Sequence, residues 1–154
     1  MNISNPLRRT TLLYLLFGLL FWTTACDRYG EIRSGLNAMD QARFNRGQKA
    51  ATPCWSCHDV TGADLKIGPP LQGLIGRPAG SVTGYPYSPA SRASSFIWTE
   101  AKLDAFLASP QSVIPGNRMI APRITNPEQR ADLVFFLSKV TRPPLLEGLS
   151  SASE

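Results

Sequence analysis

Cys54-Trp55-Ser56-Cys57-His58 is the stretch on which the reading of this chain turns. Two thiols three positions apart, with a histidine directly after the second, form the C-x-x-C-H pattern of a c-type haem attachment site. The spacing has a chemical reason. The thiols can add to the two vinyl groups along one porphyrin edge, and the adjacent imidazole is placed to give the iron an axial nitrogen. Other uses of a cysteine pair fit less well. A thioredoxin-like redox pair sits in a βαβ pattern, and no alternation of strand and helix periodicity surrounds Cys54. Zinc needs a fourth ligand, and the remaining cysteine, Cys26, lies in a segment that reads as an export signal.

Low-spin haem iron in an electron carrier usually takes a second strong protein ligand. His58 is the only histidine, so the choice falls to methionine or lysine. Met119 is the candidate, because the Pro-Gly turn of Ile114-Pro115-Gly116-Asn117-Arg118-Met119 can fix a loop and aim the thioether. A lone methionine is ordinarily core filler. Met39 is the weaker rival, upstream of the motif in what reads as a tether.

The 154 residues suit one domain of ordinary size with terminal extensions, and a 43% hydrophobic share allows a modest core. A large multidomain enzyme is excluded. With 13 Pro, 12 Gly and only 18% charged residues the domain should be rich in loops, and the single histidine rules out a multi-histidine metal site. The formal charge is +5, and Arg8 and Arg9 of the N-terminal extension contribute to it. Lys49, Lys66, Lys102 and Lys139 are scattered, without the basic run of a nucleic-acid patch, so no nucleic-acid partner is expected.

Met1 to Arg9 ends in a positive pair, Leu12 to Trp22 is an unbroken apolar run, and Thr23-Thr24-Ala25 places small residues before Cys26. This reads as an export signal, with an apolar run short of the ~20 residues a bilayer span needs. A cysteine at that point resembles the bacterial lipoprotein box, in which it becomes the lipidated N-terminus, although Thr23 stands where an aliphatic residue is usual. An uncleaved anchor and simple cleavage are the alternatives. Asp27 resembles an inner-membrane retention signal.

The expected plan is an export signal over 1–25, a tether over 26–39, a folded domain over 40–142 and a frayed tail over 143–154. Residues 27–38 are polar and poorly periodic, and no packed structure is expected there. Asp40 is expected to cap a helix reaching Ala50, with Ala42, Phe44, Gly47 and Ala50 at helical spacing. Between His58 and Phe96 glycine and proline leave no room for long elements. Thr99 is expected to cap a helix over Glu100 to Ser109, ended by Pro110, and a loop to run from Gln111 to Thr125. Asn126-Pro127-Glu128 is a cap followed by an N1 proline, opening an apolar helix that Pro143 stops.

Gly68-Pro69-Pro70-Leu71, Gly73-Leu74-Ile75-Gly76-Arg77, Tyr85-Pro86-Tyr87-Ser88, Trp98-Thr99-Glu100, Pro115-Gly116-Asn117-Arg118-Met119 and Leu133-Val134-Phe135-Phe136-Leu137 join the attachment motif in one further pattern. From about Gly47 to Val140 the chain resembles a class I cytochrome c of the mitochondrial-type branch, in a membrane-anchored bacterial form. The resemblance implies an all-α fold of short helices and long loops around one haem c, covalently held through Cys54 and Cys57, with the first and last helices crossing. It implies that Pro69 supports the His58 side and that Arg77, Tyr87 and Trp98 help hold the haem propionates. Buried carboxylates need such donors to offset desolvation.

Departures from that family pattern are as informative. Phe106 stands where a tyrosine hydroxyl approaches the methionine sulfur, Asn117 replaces a threonine, and Ala121 replaces an aromatic that covers the haem edge. Ala51 occupies the usual aromatic position before the motif, leaving Phe44 with Phe135 or Phe136 to fill the helix crossing. The family's lysine-rimmed docking face is missing, and Arg77, Arg118 and Arg123 are the available cations.

The expected function is single-electron transfer between respiratory or photosynthetic membrane complexes on the periplasmic face of a bacterial inner membrane. Docking to redox partners is expected to be transient, with the membrane held through the N-terminal lipid or anchor. Methionine in place of a second histidine raises the potential. No catalytic residue is expected. The alternatives are a haem subunit of a periplasmic dehydrogenase or oxidase and, further off, a ligand-sensing haem protein.

Overall fold

The computed structural model describes residues 28–121 and 123–142; the export segment with Cys26 and the 143–154 tail lie outside the described residues. The chain divides after Gly30, and Glu31–Glu154 form the unit that carries the attachment motif. That unit begins earlier than the expected boundary at residue 40.

Residues 30–34, expected to be unstructured tether, form helix α1, Gly30–Ser34. Its stabilisation comes from polar contacts further along the chain. Arg33 donates from Nε to Asn45 and from a terminal nitrogen to Gln48, both at 2.9 Å, and its guanidinium lies 5.6 Å from the Phe44 ring centroid.

Helix α2, Ala38–Ala50, starts before the expected cap. Asn37 is the N-cap, accepting from the Asp40 backbone N–H at 3.0 Å, while the Asp40 carboxylate accepts from the Asn37 amide at 3.0 Å. The second bond comes from the Asn37 side chain rather than its backbone N–H, so this is an N-cap steadied by Asp40 on the first turn, and Asp40 is the inner partner rather than the cap. Met39, on this helix, is 77% exposed and is no rival for the site.

The longest helix among the described residues, Pro127–Val140, opens as expected, with the Asn126 side chain accepting from Glu128 and Gln129. It packs across α2, and Gly47 is the reason the two can come so close. A β-carbon there would fall 2.1 Å from the Asp132 carbonyl oxygen and 2.6 Å from Phe136 Cβ. Phe44 and Phe136 meet edge-on at 5.0 Å, both fully buried along with Leu133 and Ala51. Phe136 thus fills the crossing, while Phe135 turns outward between Arg43 and Lys139. Asp132, buried, takes Arg46 Nε at 2.6 Å and Arg43 Nε at 3.4 Å.

Between these helices a 3-10 turn, Thr52–Ser56, carries Cys54. The long loop region contains one short helix, Pro89–Arg92, capped by Ser88, and one antiparallel bridge, Pro78 to Ile97. Helix Glu100–Ala108 has the expected Thr99 cap, but Pro110 does more than end it. As an N1 residue it opens another helical turn, Pro110–Val113, where loop was expected. In chain order these elements are α3 (Pro89–Arg92), α4 (Glu100–Ala108), α5 (Pro110–Val113) and α6 (Pro127–Val140). Among the described residues there is no strand, and no helix is long and apolar enough to cross a membrane.

Candidate haem-binding site

Cys54 and Cys57 are free thiols, both partly buried, presented by the 3-10 turn that follows α2. Burial pushes the Cys54 thiol pKa up. The turn closes through the His58 N–H on the Cys54 carbonyl at 2.8 Å. His58 Nδ1 lies 2.7 Å from the Pro69 carbonyl, which can only accept, so Nδ1 carries the proton and Nε2 keeps its lone pair. Burial lowers the His58 pKa and so favours the neutral ring that a metal requires. Gly68 lets the loop close on the ring, since a β-carbon there would sit 2.3 Å from His58 Cε1. Two thiols at attachment spacing beside an imidazole fixed with Nε2 free form a donor set that fits haem c.

Pro69 therefore braces His58 through its carbonyl. The next residues connect that brace to the groups expected around the propionates. Arg77 donates to the Pro70 and Gln72 carbonyls, each at 2.9 Å, using two of the five N–H donors of its guanidinium. Its backbone pairs with Trp98, whose N–H reaches the Arg77 carbonyl at 2.9 Å. Tyr87 interacts electrostatically with Arg77, and burial raises its phenol pKa. Arg77, Tyr87 and Trp98 are thus brought to one region. A cavity of about 440 Å³ adjoins it, lined in part by Tyr85, Tyr87 and Arg92. Trp98 stands edge-on to Phe96 at 4.9 Å and to Phe106 at 5.2 Å; Phe106, buried, offers apolar surface with no hydroxyl.

Met119 is partly exposed at the end of the loop that follows α5. Gly116, at φ +85°, lies close enough to α3 that a β-carbon would touch Ala90 at 3.4 Å, so the methionine loop runs beside the element that follows Tyr87. Ala121 and Ile120 are exposed, Ile120 completely.

Lys66 and Gln111 escape sequence reasoning, and Asn117, visible there as a departure from the family pattern, shows its bonding role only in the fold. Lys66 Nζ donates to the Trp55 carbonyl at 2.6 Å and to the His58 carbonyl at 3.2 Å, placing a cation on the attachment turn. Gln111 and Asn117 bond the backbone ahead of Met119. All three act on main-chain atoms, which leave no motif.

The family model described as Cytochrome c matches residues 44–141. A cytochrome c from Sesamum indicum is 43% identical over 91 residues, covering 58% of this chain and 82% of that protein. Cytochrome c 2.1 from Caenorhabditis briggsae is 34% identical over 103 residues, covering 66% of this chain and 92% of that protein. Among solved structures, cytochrome cH from Methylobacterium extorquens superposes with a TM-score of 0.57 at 35% identity, covering 61% of this chain and 95% of that one.

Proposed function

The chain belongs to the cytochrome c family, an electron carrier with one haem c bound through Cys54 and Cys57, and from that premise we propose that it works tethered to the periplasmic face of a bacterial inner membrane. There it passes single electrons between respiratory or photosynthetic complexes. The bound haem supplies the Fe(II)/Fe(III) couple. The protein's own contribution is positional. Pro69 and Gly68 hold His58 with Nε2 free to bind the iron, and Met119 would supply the second protein ligand. Arg77, held by the Pro70 and Gln72 carbonyls, would with Tyr87 and Trp98 supply donors and cationic charge to the propionates. The helix crossing keeps this frame rigid, so little rearranges when the charge on the centre changes.

The observation that carries the reading is the fixed imidazole beside two thiols at attachment spacing. The tether rests on the apolar run Leu12 to Trp22 and the small residues that lead from it to Cys26. Membrane fractionation with mass measurement of the mature N-terminus tests it. The expected result is a lipid-bearing Cys26 in the detergent-soluble fraction and release of coloured protein by Cys26→Ser. An intact Met1 or an unmodified cleaved terminus refutes the lipid anchor. A large stoichiometric partner that co-purifies through detergent extraction refutes the mobile carrier in favour of a fixed haem subunit.

A further inference from the structure

The hold on Met119 is built from two side chains whose amides each grip the backbone twice. Gln111, exposed on the first turn of α5, accepts from the Gly116 N–H at 2.9 Å and donates to the Asn117 carbonyl at 3.0 Å. Asn117, buried, donates to the Ile114 carbonyl at 2.8 Å and accepts from the Met119 N–H at 3.0 Å. Both carbonyl acceptors and both N–H donors lie within residues 114–119. The segment is also anchored at its start by Ile114, which is buried and bonded from its N–H to Pro110 at 3.0 Å.

After Met119 the support changes. Ile120 and Ala121 are exposed, and among the described residues the next backbone bond to the helical frame is from the Ile124 N–H to the Leu107 carbonyl at 3.0 Å. Position and orientation of the methionine are therefore set from its N-terminal side. An amide makes a suitable clamp because it offers a donor and an acceptor at once, matching a carbonyl and an N–H on the same strand of backbone.

We propose that Gln111 and Asn117 are positioning residues that keep the Met119 thioether at the iron and so close the sixth position to exogenous ligands. The inference rests on Met119 being the sixth ligand, and it assigns to this chain's own loop the choice between a closed carrier and a ligand-accessible haem. Loosening the clamp lets the thioether leave more often, and a small neutral ligand then competes for the vacated position.

The test titrates the ferric holoprotein with imidazole while following the red methionine–iron band. Wild type, Gln111→Met, Asn117→Ala and Met119→Ala are compared. Gln111→Met and Asn117→Ala are each expected to bind imidazole about tenfold more tightly than wild type, since each removes two hydrogen bonds holding the loop. Gln111→Glu keeps the acceptor for Gly116 but loses the donor to Asn117, and should fall between. Met119→Ala should bind most tightly and lack the band. Gln111 is exposed, so Gln111→Met should keep wild-type haem content even where Asn117→Ala matures poorly; a purely structural role would lower its denaturation midpoint while leaving its imidazole affinity unchanged. Affinities within twofold of wild type in the clamp variants, with Met119→Ala binding tightly, overturn the clamp alone. Wild-type affinity in Met119→Ala overturns the ligand assignment and the clamp with it.

Discussion

Lys66 shows how one side chain can act on a redox centre without touching it. Its ammonium is held against the carbonyls of Trp55 and His58, so a fixed positive charge lies on the turn that carries the thiols and the imidazole. A cation near the iron disfavours the more positive Fe(III) state, with a strength governed by distance and screening. Lys66→Gln should therefore lower the midpoint potential, shifting the redox equilibrium about threefold toward Fe(III), or about 30 mV for one electron. Potentiometric titration at low ionic strength checks this, and an unchanged or higher potential refutes it. The sequence displays Lys66 only as one of four scattered lysines. Its partners are main-chain oxygens, and loop geometry alone brings them within reach.

At the scale of elements, legibility followed the locality of the signal. The attachment motif, the Thr99 cap and the Asn126-Pro127 start are each contained in a few adjacent residues, and their structures match what those residues imply. Helix α1 escaped because its support comes from Asn45 and Gln48 on another helix. The start of α2 was read late because Asn37 and Asp40 are both good caps, and only their mutual bonding shows which is outermost. Pro110 was read as a stop although the same ring also suits the first position of a new turn. Gly47 could be seen as small, but not as the contact point of α2 and α6. Its missing β-carbon is a sharp test of that crossing. Gly47→Ala places a methyl against the Asp132 carbonyl and Phe136, and separating the helices there should cost about 2–3 kcal/mol in denaturant unfolding of the holoprotein. Alanine is the better helix former, so a neutral or stabilising result would refute the close approach.

For the whole molecule, the frame of crossed helices and the long loops divide the work. The helices supply the densest apolar packing, around Phe44, Leu133 and Phe136, while residues 58–96 carry many groups of the site on turns and one short helix. Family resemblance singles out Arg77, Tyr87 and Trp98, and their linkage through Pro70 and the Arg77–Trp98 backbone pair is visible only in the fold. The proposed lipid at Cys26 adds a question of reach, because residues expected to be slack are taken up by α1. Inserting about a dozen Gly and Ser residues after Arg28 should slow electron delivery to partners beside the bilayer by lowering the effective concentration. Stopped-flow oxidation by native membranes measures that rate, and an unaltered rate refutes the dependence.

Helix α1 begins at Gly30 and Tyr29 is already buried, so a lipid on Cys26, attached as proposed, would leave the body little slack. Under that proposal, a carrier so moored would exchange electrons with neighbours whose entry ports stand low over the lipid headgroups, and would roam sideways with its anchor rather than outward into the periplasm.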